Sequence, residues 1–145
     1  MCTELDIRGV AHRGFVACIN DFQSYYKGNM ELLDYDKGED LFDDNWPFYT
    51  RTNDSCPTQY YKDIVVRHSI ISNGCTIEGN VINSVIGRGV EVKKGAVIEN
   101  SVILPGAVIG ENVHINNVVV DKRARIVNEK RSLFCIRTSA VREKE

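Results

Sequence analysis

Few side chains in this chain could do chemistry. Histidine is the residue that takes and returns protons near neutral pH, and there are three: His12, His68 and His114. The five cysteines, Cys2, Cys18, Cys56, Cys75 and Cys135, are odd in number and irregular in spacing. No C-x-x-C occurs, so neither a zinc site nor a disulfide framework is indicated. Five cations, Lys122, Arg123, Arg125, Lys130 and Arg131, crowd one stretch and form a candidate anion site. Glycines occur one at a time, and no Gly-rich loop that could cradle a nucleotide is visible.

Composition narrows the classes further. The 145 residues are 43% hydrophobic and 26% charged, with net charge −2. This is a soluble, one-domain composition. It gives no global attraction to nucleic acid or to an anionic membrane, so neither is an expected partner. No apolar run approaches a membrane span, and "MCTELDIR" lacks the apolar core of a secretory signal. A reducing cytoplasm is the expected compartment. Charge is uneven: residues 29–46 carry seven acidic residues against Lys37, and residues 121–145 carry eight basic and four acidic ones.

The elements that must position these residues follow from one repeat. "VRHSII" (66–71), "VINSVI" (81–86), "IENSVI" (98–103) and "INNVVV" (115–120) share a shape and start 15, 17 and 17 residues apart. Six-residue blocks lie between them: "ISNGCT", "IGRGVE", "VKKGAV", "ILPGAV", "IGENVH" and "VDKRAR". Two units count 5 + 6 + 6, and the first counts 5 + 6 + 4, with "IEGN" as its short side. Every block is led by Ile or Val: Val66, Ile71, Ile77, Val81, Ile86, Val92, Ile98, Ile103, Ile109, Ile115, Val120 and Ile126. Two residues before the next lead sits a small or modest side chain, among them Cys75, Ser84, Ala96, Ser101 and Ala107. The third residue after the lead is a turn former, Gly74, Gly89, Gly95, Gly106 or Asn112, with Arg123 the exception.

A step of six suits neither a helix nor a flat half-buried strand. It suits short strands joined by sharp corners into a triangular coil, whose copies stack and share one core. The lead residues point inward, the small ones fit the bend, and glycine or asparagine supplies the left-handed backbone of the corner. Residues 66–126 resemble the hexapeptide-repeat β-helix, and that resemblance implies left-handed winding. The expected fold is mainly β: a left-handed parallel β-helix over 64–127. Ile71, Ile86, Ile103 and Val120 should share one column.

The remainder does not follow the repeat. "DIRGVAHRGFVACI" (6–19) predicts strand, turn and strand, and "NDFQSYYKGNMELLD" (20–34) predicts a helix capped by Asn20 or Asp21. Phe22, Tyr25, Tyr26, Met30 and Leu33 share a face of it that needs a partner. Residues 1–45 thus read as a small strand–helix remnant of an α/β nucleotidyltransferase domain, 46–63 as a connecting segment, and 128–145 as a basic tail. "SYYKGNMELL", then "WPFYTR", then a hexapeptide β-helix, is similar to the C-terminal part of glucose-1-phosphate adenylyltransferase. "GFVACINDFQSYYKGNMELLD", "PFYTRTNDSCPTQYY" and "SVIGRGV" look closest to the paralogous, non-catalytic glycogen-biosynthesis subunit of GlgD type. The resemblance covers about residues 8–127.

That family makes ADP-glucose from ATP and glucose 1-phosphate with magnesium, releasing pyrophosphate. The resemblance places a Trp-x-Asp-(Ile/Val)-Gly-Thr motif on "VACIND", Val16 to Asp21. Its metal-holding aspartate falls on Cys18, and a neutral thiol is a poor ligand for magnesium. The phosphate-binding loop has no counterpart here. The resemblance therefore implies no catalytic residue, cofactor or metal site for this chain. Its expected role is assembly and regulation, by self-association or with a catalytic adenylyltransferase subunit. Two alternatives stand beside it. A hexapeptide acyltransferase would use His12, His68 or His114 as general base. A scaffold subunit of the kind found in the nucleotide-exchange complex of translation initiation factor 2B would use the fold alone. His68 shares its repeat slot with Asn83, Asn100 and Asn117, which favours a structural role.

Overall fold

A computed structural model describes residues 8–11, 14–41, 49, 54–127 and 135–137. In chain order the elements are two helices, α1 (Phe22–Glu31) and α2 (Tyr35–Leu41), and fourteen strands. The strands are β1 (Gln59–Tyr60), β2 (Val66–Arg67), β3 (Ile70–Ile71), β4 (Thr76–Ile77), β5 (Asn80–Ile82), β6 (Val85–Ile86) and β7 (Glu91–Val92). They continue with β8 (Val97–Glu99), β9 (Val102–Ile103), β10 (Val108–Ile109), β11 (His114–Asn116), β12 (Val118–Val120), β13 (Arg125–Ile126) and β14 (Cys135–Arg137). Three sheets result, ordered β1-β4-β7-β10-β13, β2-β5-β8-β11 and β3-β6-β9-β12-β14. Every third strand returns to the same sheet, so the chain winds as a β-solenoid of about four coils. All pairs are parallel except β12 with β14, which is antiparallel.

The register follows the repeat residue by residue. Ile77, Val92, Ile109 and Ile126 pair in one sheet. Val66, Val81, Ile98 and Ile115 pair in the second. Ile71, Ile86, Ile103 and Val120 pair in the third. These twelve are the lead residues, and from Ile77 onward they are all buried in one core. A single rung could not bury them; stacked rungs exclude water from all but the end coils.

The corners obey the same logic. Gly74, Gly89, Gly95, Gly106 and Asn112 all have positive φ, and so does Arg123 at φ 56. A second corner uses a different device. His68, Asn83, Asn100 and Asn117 hold φ between 45 and 55, and the following serines form a ladder. Ser84 Oγ donates to the Ile82 carbonyl and accepts from the Ser101 amide at 3.1 Å. Ser101 Oγ does the same with Glu99 and with the Val118 amide at 3.2 Å. The bend turns its backbone polar groups inward, and the hydroxyls satisfy them there.

Outside the repeat the structure departs from the sequence in three places. The strands expected within 6–19 are absent among the described residues of that stretch; a strand needs a neighbour's ladder, and none is offered there. Helix α2 is a second helix within 1–45, beyond the one expected over 20–34. Strand β1 adds a rung-edge before residue 64, and β14 lies on β12 in the stretch expected as tail. Helix α1 forms as expected. Asp21 caps it by accepting from the Ser24 amide, and the Ser24 hydroxyl accepts from the Asp21 amide. Its aromatic face does find a partner. α1 packs on β9, and the Tyr26 hydroxyl donates to the Asn100 carbonyl at 2.6 Å. Val102 and Val119 lie outside the inward core cluster yet are only 1% and 7% exposed.

Candidate functional site

The two described histidines are each paired with a neighbouring coil. His68 Nδ1 lies 2.8 Å from Asn83 Oδ1. Asn83 Nδ2 donates to Asn100 Oδ1, and Asn100 Nδ2 donates to Asn116 Oδ1. The amides all point one way, so His68 is the donor that starts a corner ladder. His114 Nε2 lies 3.2 Å from Glu99 Oε2 on the open face of neighbouring rungs. His12 is outside the described residues. Lys122, Arg123 and Arg125 are exposed on the last coil; Lys130 and Arg131 lie outside the described residues. Among the described residues no three His, Cys, Asp or Glu side chains are grouped to hold a metal ion, and no helix is long and apolar enough to cross a membrane. Cys18 is exposed. Cys75 is buried in the small-residue column, its thiol against the Ser72 and Gly87 carbonyls at 3.1 Å.

A concave feature of the described surface lies elsewhere. A cleft of about 820 Å³ opens at the corner between the β4 sheet and the β5 sheet. Its cause is the short "IEGN" step. The neighbouring coils carry projecting turns at this corner, Lys94–Gly95 and Glu111–Asn112, and the first coil carries Lys62–Asp63. The second coil has four residues where these have six, so its turn is missing and a notch remains. Gly79 and Asn80 form the floor. A Cβ on Gly79 would collide with the Ala96 carbonyl oxygen, which accepts the Asn80 amide at 2.8 Å. Asn80 Oδ1 accepts the Val65 amide at 2.8 Å and ties the first coil across the gap.

The walls carry Tyr61, Lys62, Asp63, Glu78, Lys94 and Glu111. Among the described residues these charged groups make no ion pair with one another; the nearby pair is Lys93 with Glu91 at 2.9 Å. That hydrogen bond and the attraction of Glu91 hold the Lys93 ammonium above its ordinary pKa, with Glu78 and Tyr61 adding to the effect. None of the cleft residues stood out in the sequence as chemistry. The signal for them was the four-residue step itself.

Comparison with known proteins now places the chain. Residues 57–131, a little over half of it, match the family described as GlmU-like, C-terminal hexapeptide. The chain belongs to that family. The family's segment coincides with the solenoid, β1 included. Among curated proteins, a glucose-1-phosphate adenylyltransferase of Bacillus mycoides is 38% identical over 108 residues, 74% of this chain and 28% of the relative. One from Fervidobacterium nodosum is 40% identical over 107 residues, 74% of this chain and 26% of the relative. One from Bacillus thuringiensis is 37% identical over 108 residues. The chain thus spans about a quarter of the length of the relatives it matches.

Proposed function

We propose that this chain is the C-terminal assembly and regulatory part of a glucose-1-phosphate adenylyltransferase-related subunit of glycogen biosynthesis. Its winding would be left-handed, and the subunit would be of the non-catalytic, GlgD type. The observation that carries the reading is the extent of the similarity. A match of 107–108 residues is longer than the segment 57–131, so it reaches beyond the hexapeptide solenoid shared by many families. Cys18 supports the non-catalytic form. It stands where the resemblance puts a magnesium-holding aspartate, and a soft thiol does not fit that hard cation. No catalytic step is assigned to magnesium in this chain.

The acyltransferase alternative has less support. His68 is spent on a corner ladder, and neither His68 nor His114 lines the cleft. Two measurements test the proposal. The purified chain, given ATP, glucose 1-phosphate and magnesium, should release no pyrophosphate. Mixed with a catalytic glucose-1-phosphate adenylyltransferase, it should co-sediment and change that enzyme's response to phosphorylated metabolites. Pyrophosphate release by the chain alone, or sedimentation of the two as independent species, overturns it.

A further inference from the structure

The cleft at the shortened corner has a shape and a lining that select among ligands. Removing one projecting turn from a stack of rungs leaves its two neighbours about 10 Å apart, twice the strand spacing. The Lys62–Asp63 turn forms one wall and the Lys94–Gly95 turn the other. The floor is the Gly79 backbone, whose missing Cβ makes room for the next rung's Ala96 carbonyl, and Asn80, whose side chain is tied to the Val65 amide. The slot therefore admits one ring-sized group, laid against backbone.

The lining decides the chemistry. Two ammonium groups, Lys62 and Lys94, face three carboxylates, Asp63, Glu78 and Glu111. A phosphate would meet more carboxylate than ammonium and is disfavoured. A divalent cation needs converging oxygens, and these carboxylates are not grouped for one. An apolar ligand would strand the charged groups without water. A neutral ligand bearing several hydroxyls satisfies both signs at once. Each hydroxyl donates to a carboxylate and accepts from an ammonium, and such charge-assisted bonds are the stronger kind. Tyr61, 54% exposed beside the slot, offers an aromatic face for the C–H side of such a ring.

We propose that the cleft bounded by Lys62, Asp63, Glu78, Gly79 and Lys94 is a carbohydrate-binding site for one neutral sugar unit. The proposal stands on the cleft alone and does not depend on the adenylyltransferase reading. The test uses the full 145-residue chain, ¹⁵N-labelled, titrated with glucose, maltotriose and cellotriose, and separately with inorganic phosphate. At least one saccharide should shift the amides of Asp63, Gly79 and Gly95 together, with affinity of about millimolar, as expected for a small, solvent-open site. Glu78→Gln should weaken it about tenfold through loss of a charge-assisted bond. Inserting Lys-Gly between Glu78 and Gly79 restores a six-residue corner, and should abolish the shifts while leaving the thermal transition in place. Three outcomes overturn the proposal: no saccharide shifts these amides well above millimolar concentration, phosphate shifts them and sugars do not, or the sugar shifts survive unchanged in both variants.

Discussion

Ser101 shows how much one small side chain carries. Its hydroxyl is fully buried, donates to Glu99 and accepts from the Val118 amide of the next coil. Alanine fits the space but leaves the Val118 amide without its partner. Ser101→Ala should therefore cost about 1–3 kcal/mol, the penalty of a buried unpaired donor. The measurement is urea unfolding, and an unchanged midpoint would mean that water replaces the hydroxyl. Arg123 is the opposite case. It holds φ 56 at a corner where the other coils use Gly74, Gly89 and Gly106. A side chain in that region is strained by about 1 kcal/mol. Arg123→Gly should recover roughly that amount, less glycine's greater loss of entropy, as a small rise in melting temperature. The sequence marks Arg123 as the exception to its column, and the backbone obeys the column anyway. Its neighbours fix the bend, and the residue type sets only the strain.

At the scale of elements, the pattern in the sequence reached as far as the repeat did. Twelve lead residues read from spacing fall into three ladders, because inward position, corner and rung all follow from one local rule. Strands β1 and β14 escaped it. They are held by a neighbouring edge and not by their own alternation, and no local rule reports a neighbour. The cleft escaped for the same reason: the short step was visible, but its walls come from coils fifteen or more residues away in the chain. Helix α1 was legible from its cap and its face, while the wall it leans on was not. That contact makes a prediction. Burial of Tyr26 raises the pKa of its phenol, so the neutral, donating form is the one the folded state prefers. The contribution is complete below the ordinary value of about 10 and is lost as pH rises through the raised one. Near-ultraviolet spectra should show α1 loosening only on that alkaline side. Tyr26→Phe should remove the pH dependence and cost about 1 kcal/mol, the net worth of one hydrogen bond. At the other end of the scale, bonding of Asp21 to the Ser24 amide and hydroxyl lowers its pKa. The cap is complete above the unfolded carboxyl range and fails as pH falls through the lowered value. Asp21→Asn keeps the cap and should abolish the acid dependence of α1 helicity.

For the whole molecule, the question is which surface still needs covering. The aromatic face of α1 leans on β9, so it is a weaker reason for self-association than its sequence suggests. The first coil is a stronger one. Val66 is a lead residue, yet it is 37% exposed, and Ile70 on the next strand of the same coil is 38% exposed. Strands β1, β2 and β3 begin their sheets with one edge unpaired among the described residues. At the far end β14 lies along β12, so one sheet edge is covered there. An open edge with apolar side chains along it invites a strand from another chain, and two copies related by a two-fold axis are the simplest way to supply one. The chain should therefore associate through its first coil. Sedimentation equilibrium over a hundredfold range of concentration should give a mass rising above 16.4 kDa. Val66→Lys with Ile70→Lys should return it to one chain, because two charges on the edge cannot be buried without partners. The same exchange at Val16 and Ile19, exposed ahead of α1, should leave the mass as it was. If the first-coil variant still associates and the Val16 and Ile19 variant does not, the interface lies ahead of α1. A single mass near 16.4 kDa throughout would show that the solenoid's first rung is tolerated bare or covered from within the same chain.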